Sequence, residues 1–154
     1  MALKVGDTAP QFEGVDHDGN PIKLSDYQGK KVILYFYPKD NTPGCTAQAC
    51  NLRDNHEELL NQGFAIIGIS TDGTASHQKF RDKFELPFPL IADTDKSIHE
   101  TYGTWGEKNM YGRKYMGAFR QTFVIDEEGK IKHIIKKVKT KDHTAQILDK
   151  LAKA

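Results

Sequence analysis

Residues 31–70 read KVILYFYPKDNTPGCTAQACNLRDNHEELLNQGFAIIGIS. The first seven, Lys31 to Tyr37, form a continuous apolar and aromatic run between Gly29 and Pro38. Such a run suits a central strand buried on both faces, and Pro38, which has no N–H to give, ends it. After the Asp40 to Gly44 loop, the segment to Gln62 has helix formers, apolar residues at Leu52, Leu59 and Leu60, and Gly63 placed as a cap. Phe64 to Ser70 then reads as a second buried strand. A helix between two such strands is the crossover that parallel neighbours need.

Upstream, Phe12 to Val15 and Ile22 to Leu24 flank Asp16-His17-Asp18-Gly19-Asn20, whose Asp, Gly and Asn residues tolerate left-handed turns, so an N-terminal β-hairpin is expected. Downstream, Thr74 to Phe84 reads as helix, Pro87 and Pro89 interrupt the pattern, and Leu90 to Ala92 is a short strand with Lys96 to Tyr102 as a short helix behind it. Gln121 to Asp126 and Ile131 to Val138 are joined by Glu127-Glu128-Gly129-Lys130, a hairpin turn that uses up both glutamates. Ala145, Ile147, Leu148 and Leu151 give a last helix its apolar stripe. This order predicts an α/β sandwich of the thioredoxin-like layout, a mixed central sheet flanked by helices, in one domain spanning 1–154.

Composition narrows the function. Lys and Arg total 22 against 21 Asp and Glu, a net charge of +1, which gives no reason to expect nucleic acid or an anionic membrane as partner. No apolar run approaches the roughly 20 residues that cross a bilayer, and Met1 to Pro10 lacks a basic stretch followed by an apolar one, so a cytoplasmic protein is expected. The 2 cysteines are too few for a disulfide scaffold. Cys45 and Cys50 are therefore either catalytic or redox-sensing, or a pair of buried small hydrophobes.

Their setting favours chemistry. With Thr42 as N-cap and Pro43 as first helical residue, Cys45 falls in the first turn of the helix, where unpaired N–H groups and the positive end of the dipole point toward its sulfur. Such surroundings favour the thiolate, which is the nucleophilic form.

Pro38, Thr42 and Cys45 match the P-x-x-x-T-x-x-C active-site pattern, so the sequence resembles the peroxiredoxins. T-P-G-C-T with a second Cys five positions beyond the first is similar to the peroxiredoxin Q group, also called bacterioferritin comigratory protein. The resemblance runs from Val5-Gly6-Asp7 through Arg120 to Asp126. It implies that Cys45 is the peroxidatic cysteine, that Thr42 hydrogen-bonds the peroxide, that Pro38 shields the sulfur, and that Arg120 approaches thiolate and peroxide. It also implies a monomer that reduces hydrogen peroxide and small organic hydroperoxides without metal, haem or flavin. Cys50 would close an intramolecular disulfide for thioredoxin or a similar dithiol to reduce. Attack on the O–O bond drives charge onto the departing oxygen, so a permanent cation and fixed donors act mostly on the transition state. Read without the resemblance, Arg120 is a surface ion pair and Thr42 a plain helix cap.

Cys50 is the other thiol in the chain, and a sulfenic acid on Cys45 would condense with it. Five residues of unbroken helix separate two Cα atoms by about 8.5 to 9 Å. A disulfide tolerates about 7 Å, so within one helix the bond forms only after that helix start unwinds, an opening that Gly44 favours. A thioredoxin-type oxidoreductase would carry C-x-x-C instead of this C-x4-C, and a redox sensor would not turn over. His17, His56, His77, His99, His133 and His143 show no metal-ligand spacing and are expected at the surface. Lys136-Lys137-Val138-Lys139-Thr140-Lys141 reads as a solvated strand end, and Trp105, Tyr111, Tyr115 and Phe119 as packing for a Gly-rich loop.

Overall fold

The computed structural model describes residues 3–152; Met1, Ala2, Lys153 and Ala154, included in the expected domain, lie outside them. The chain enters as the hairpin β1 (Glu13–Val15) and β2 (Pro21–Lys23), paired antiparallel with Gly14 opposite Ile22. A five-stranded sheet follows, built from β3 (Lys31–Phe36), β4 (Phe64–Ser70), β5 (Leu90–Ala92), β8 (Gln121–Ile125) and β9 (Ile131–Ile135) in the spatial order β5-β4-β3-β8-β9. β3, β4 and β5 run parallel, whereas β8 and β9 are antiparallel. The sheet is mixed for the reason the sequence predicts: helices carry the parallel crossovers and a short turn reverses the last pair.

β3 explains why its run is apolar without alternation. Ile33, Tyr35 and Tyr37 point into one core, together with Leu52 and Leu59 of α1 (Pro43–Asp54) and α2 (His56–Asn61), Phe80 of α3 (Thr74–Phe84) and Ile147 of α5 (His143–Ala152). Val32, Leu34 and Phe36 point into the other, under Ile22 of the hairpin and Ile98 of α4 (Ser97–Thr101). Both faces are covered, so every position must be apolar.

Several expectations need correction. The helix expected through Gln62 breaks at Asn55 (φ −110, ψ 12), whose side-chain amide donates to the Asn51 carbonyl at 2.8 Å and ends α1. Leu60 then faces solvent, as does Ala145 of the last helix. Residues 105–118 are a ribbon, β6 (Trp105–Met110) and β7 (Arg113–Ala118), turned at Tyr111 and Gly112 with φ values of 54 and 79. Two consecutive positive φ values make the tight turn that twisted hairpins favour. Tyr111 is fully exposed and does not pack; Tyr115 is partly exposed with its ring against Gly117, while Trp105 and Phe119 are half-buried. β9 stops at Ile135, three residues short of Val138; Lys136, Lys137, Lys139 and Lys141 are exposed beyond it.

The histidines depart furthest from expectation. His17, His77, His99 and His143 are buried. Burial is tolerated because the rings find polar partners: His77 meets Asp40 and the Ile91 carbonyl, His99 meets Asp93, and His143 sits between Thr122 at 2.8 Å and Gln146 at 3.0 Å. Gln146 Oε1 takes the Nδ1 proton of His143, so Nε2 accepts from the Thr122 hydroxyl and the ring is neutral. Loss of water around the ring, more than any neighbour, pushes the pKa of His143 down to about 4.

This sets a pH dependence. Between the ordinary value of 6.5 and about 4, the unfolded chain takes up a proton that the folded one refuses, so stability falls as pH drops through that window and levels off below it. In His143→Gln, the slope of unfolding free energy against pH there should be shallower by up to about 1.4 kcal/mol per pH unit. Urea midpoints from pH 6.5 to 4 measure it; an unchanged slope would show that another group titrates.

Candidate active site

The chain leaves β3 at Phe36, loops over residues 37–42 and enters α1 with Pro43 as its first residue and Thr42 as N-cap (φ −96, ψ 156). The first intrahelical bond runs from the Thr46 N–H to the Thr42 carbonyl at 2.8 Å. The Thr42 hydroxyl, however, makes no cap bond; Oγ1 donates instead to the Lys39 carbonyl at 2.8 Å. Two consequences follow. The first-turn amides of α1 are left without a side-chain cap beside Cys45, and the lone pairs of Oγ1 remain available to accept a hydrogen bond.

Cys45 is 1% exposed and belongs to the core under α1. Its sulfur lies 3.2 Å from Arg120 Nη2, and the same guanidinium donates through Nη1 to Gln48 Oε1 at 2.7 Å. Arg120 directly precedes β8, and the antiparallel register sets Gln121 opposite Phe36, so residues 75 apart in sequence meet at the end of β3. The fork is spent on a sulfur and an amide oxygen, not on the carboxylate that a surface ion pair requires. Gly44 permits the approach: a Cβ there would come within 3.3 Å of Arg120 Nη2.

Tyr35 packs beneath this cluster, its ring stacked on Tyr37 at 5.4 Å. Burial, reinforced by the nearby Cys45, pushes its phenol well above the ordinary range, so it stays neutral. Gly68 on β4 is required by the same ring, since a Cβ would fall 2.9 Å from the Tyr35 ring carbon that bears the hydroxyl. Pro38 is half-buried in the loop between Tyr37 and Lys39.

Cys50 is half-buried on the same unbroken helix as Cys45, and both are free thiols. The next residue, Asn51, fastens this part of α1 to the C-terminal region: Nδ2 donates to the Lys141 carbonyl at 3.2 Å and Oδ1 accepts from the Thr144 N–H at 2.8 Å. Among the described residues no group of three or more His, Cys, Asp or Glu is arranged to hold a metal ion. The sequence reading missed Gln48, although its place one turn beyond Cys45 put it on the same helix face.

Residues 5–134 match the AhpC/TSA family. The chain is 46% identical over 151 residues to the putative peroxiredoxin bcp of Coxiella burnetii, covering 98% of this chain and 100% of that one. It is 46% identical over 147 residues to peroxiredoxin Bcp of Escherichia coli K12, covering 96% and 94%. It also superposes on the bacterioferritin comigratory protein of Xanthomonas campestris with a TM-score of 0.85 at 32% identity, covering 92% of this chain and 90% of that one. The chain therefore belongs to the AhpC/TSA family, as a thiol peroxidase of the peroxiredoxin class, with peroxide as substrate and a thiol as reductant. Among the described residues no helix is long and apolar enough to cross a membrane.

Gln48 accepts from one arm of the guanidinium; with Cys45 as the reacting thiol, Gln48→Ala should slow its oxidation by hydrogen peroxide on the order of tenfold. Stopped-flow competition against a second peroxide scavenger measures this; a native rate would show that Arg120 needs no such guide.

Proposed function

We propose that Cys45 is the peroxidatic nucleophile and Cys50 the resolving thiol of a thioredoxin-dependent peroxidase acting on hydrogen peroxide and organic hydroperoxides. The observation that carries this is the 3.2 Å contact of Arg120 with the Cys45 sulfur at the start of α1. In the first step the Cys45 thiolate attacks one peroxide oxygen, the O–O bond breaks, and the departing alkoxide or hydroxide is protonated, leaving Cys45 as sulfenic acid. Arg120 and the open first-turn amides stabilise the charge that develops. Thr42, its proton committed to Lys39, accepts from the peroxide O–H, and Pro38 keeps water from the sulfur. The alkyl peroxide reduction activity described for the Xanthomonas campestris protein supports the organic hydroperoxides.

In the second step the Cys50 sulfur displaces water from the sulfenic acid, forming an S–S bond that a dithiol then reduces. Both cysteines lie in α1, so the turns from Pro43 to Cys50 must open before the sulfurs can meet. The chain acts as one domain in the cytoplasm and, with its resolving thiol its own, as a monomer.

Peroxide consumption coupled to thioredoxin oxidation tests the assignment. Cys45→Ser should give no turnover. Cys50→Ser should still be oxidised once, with thioredoxin-coupled cycling falling on the order of tenfold or more. Repeated turnover by the native chain separates an enzyme from a redox sensor, and undiminished activity in Cys45→Ser would end the proposal.

A further inference from the structure

We infer that Asp72 is a positioning residue for the peroxidase reaction, acting on Thr42 through the peptide unit that joins Lys39 to Asp40; the inference rests on the role proposed above for Thr42. The Thr42 hydroxyl donates to the Lys39 carbonyl at 2.8 Å, and the Asp40 N–H donates to Asp72 Oδ2 at 2.8 Å. These are the two ends of one peptide. A trans peptide is planar and its C=O and N–H point opposite ways, so whatever holds the N–H sets the direction of the carbonyl. The carboxylate also polarises the unit and makes the carbonyl a better acceptor.

The alternative for Thr42 is specific. A threonine at an N-cap ordinarily turns its oxygen to the first-turn N–H groups and spends a lone pair there. With the Lys39 carbonyl fixed, the hydroxyl proton is drawn to it and its lone pairs are not spent on the helix N–H groups. Freed from Asp72, the peptide can turn, and the hydroxyl falls back on the helix N-terminus, where it no longer receives the peroxide O–H.

Asp72 is itself anchored on the sheet. Ser70, the buried last residue of β4, donates through Oγ to Asp72 Oδ2 at 2.7 Å and accepts from the Asp72 N–H at 3.2 Å. The Asp40 side chain is pinned separately by the Tyr37 hydroxyl at 2.6 Å, Ser76 Oγ at 2.8 Å and His77 Nδ1 at 2.7 Å. Those three contacts fix where the loop sits, which leaves the rotation of the 39–40 peptide to Asp72.

Rapid-quench measurement of Cys45 oxidation by hydrogen peroxide, in the Cys50→Ser background, tests this as a double-mutant cycle. Asp72→Ala should slow oxidation about tenfold, and Asp72→Asn, whose amide oxygen still accepts, should stay within about threefold of native. In the Thr42→Val background, where there is no hydroxyl to aim, Asp72→Ala should cost less than about twofold. Equal costs in both backgrounds, or none in the native one, overturn the inference. If Asp72→Ala fails to fold, Ser70→Ala takes its place with the same coupling to Thr42 expected. A native oxidation rate in Thr42→Val alone marks a different failure, that of the role proposed for Thr42, and removes the inference with it.

Discussion

The contact between the Arg120 guanidinium and the Cys45 sulfur is the point around which the fold is arranged. Neither partner could hold it from its own segment. β3 carries the chain to the helix that begins at Pro43, and β8, antiparallel to β3 with Gln121 opposite Phe36, returns Arg120 to the same end of the sheet. Gly44 leaves room for the fork, and Gln48, one turn further along α1, takes its second arm. In the proposed reaction, a permanent cation held on the sulfur meets the charge that appears as the O–O bond breaks. The site is thus built before substrate arrives, which is what electrostatic catalysis requires.

The same helix start carries a conflict. In the proposed mechanism attack on peroxide uses α1 wound, because its first-turn amides lie beside the sulfur and Gln48 holds Arg120 in that form. The proposed disulfide with Cys50 would need it unwound, because five residues of helix hold the Cα atoms too far apart. The hydrogen bonds show where such motion can be confined. Upstream, Asp40 is tied to Tyr37, Ser76 and His77; downstream, Asn51 is tied to Lys141 and Thr144. Between the two anchors lie Pro43, which has no N–H to lose, and Gly44, which regains the most chain entropy on opening. Cys45, by contrast, must leave the core that also holds Tyr35 and Leu52. That loss weighs toward the wound form in the reduced enzyme.

The sheet was legible because hydrophobic runs such as Val32 to Tyr37 and Phe64 to Ile69 admit few other readings. The cysteine, its helix position and Thr42 followed from capping chemistry, and Arg120 from a resemblance that the contact geometry supports. What escaped the sequence were features made by tertiary pairing. The Asn55 break depends on a side-chain bond back to Asn51, and the β6–β7 ribbon on a left-handed Tyr111 that no propensity favours. The burial of His77 and His143 depends on partners far away in the chain, Asp40 and Thr122. Thr42 was read rightly as the N-cap residue, but its hydroxyl accepts no bond from the helix and donates to the Lys39 carbonyl instead.

The most direct test of the central contact is the second-order rate of Cys45 oxidation by hydrogen peroxide in Arg120→Met, whose side chain keeps the length and removes the charge. With the fold intact by circular dichroism, the rate should fall on the order of a hundredfold or more. Oxidation within about twofold of the native rate, well inside what one preorganised donor contributes, would contradict the account.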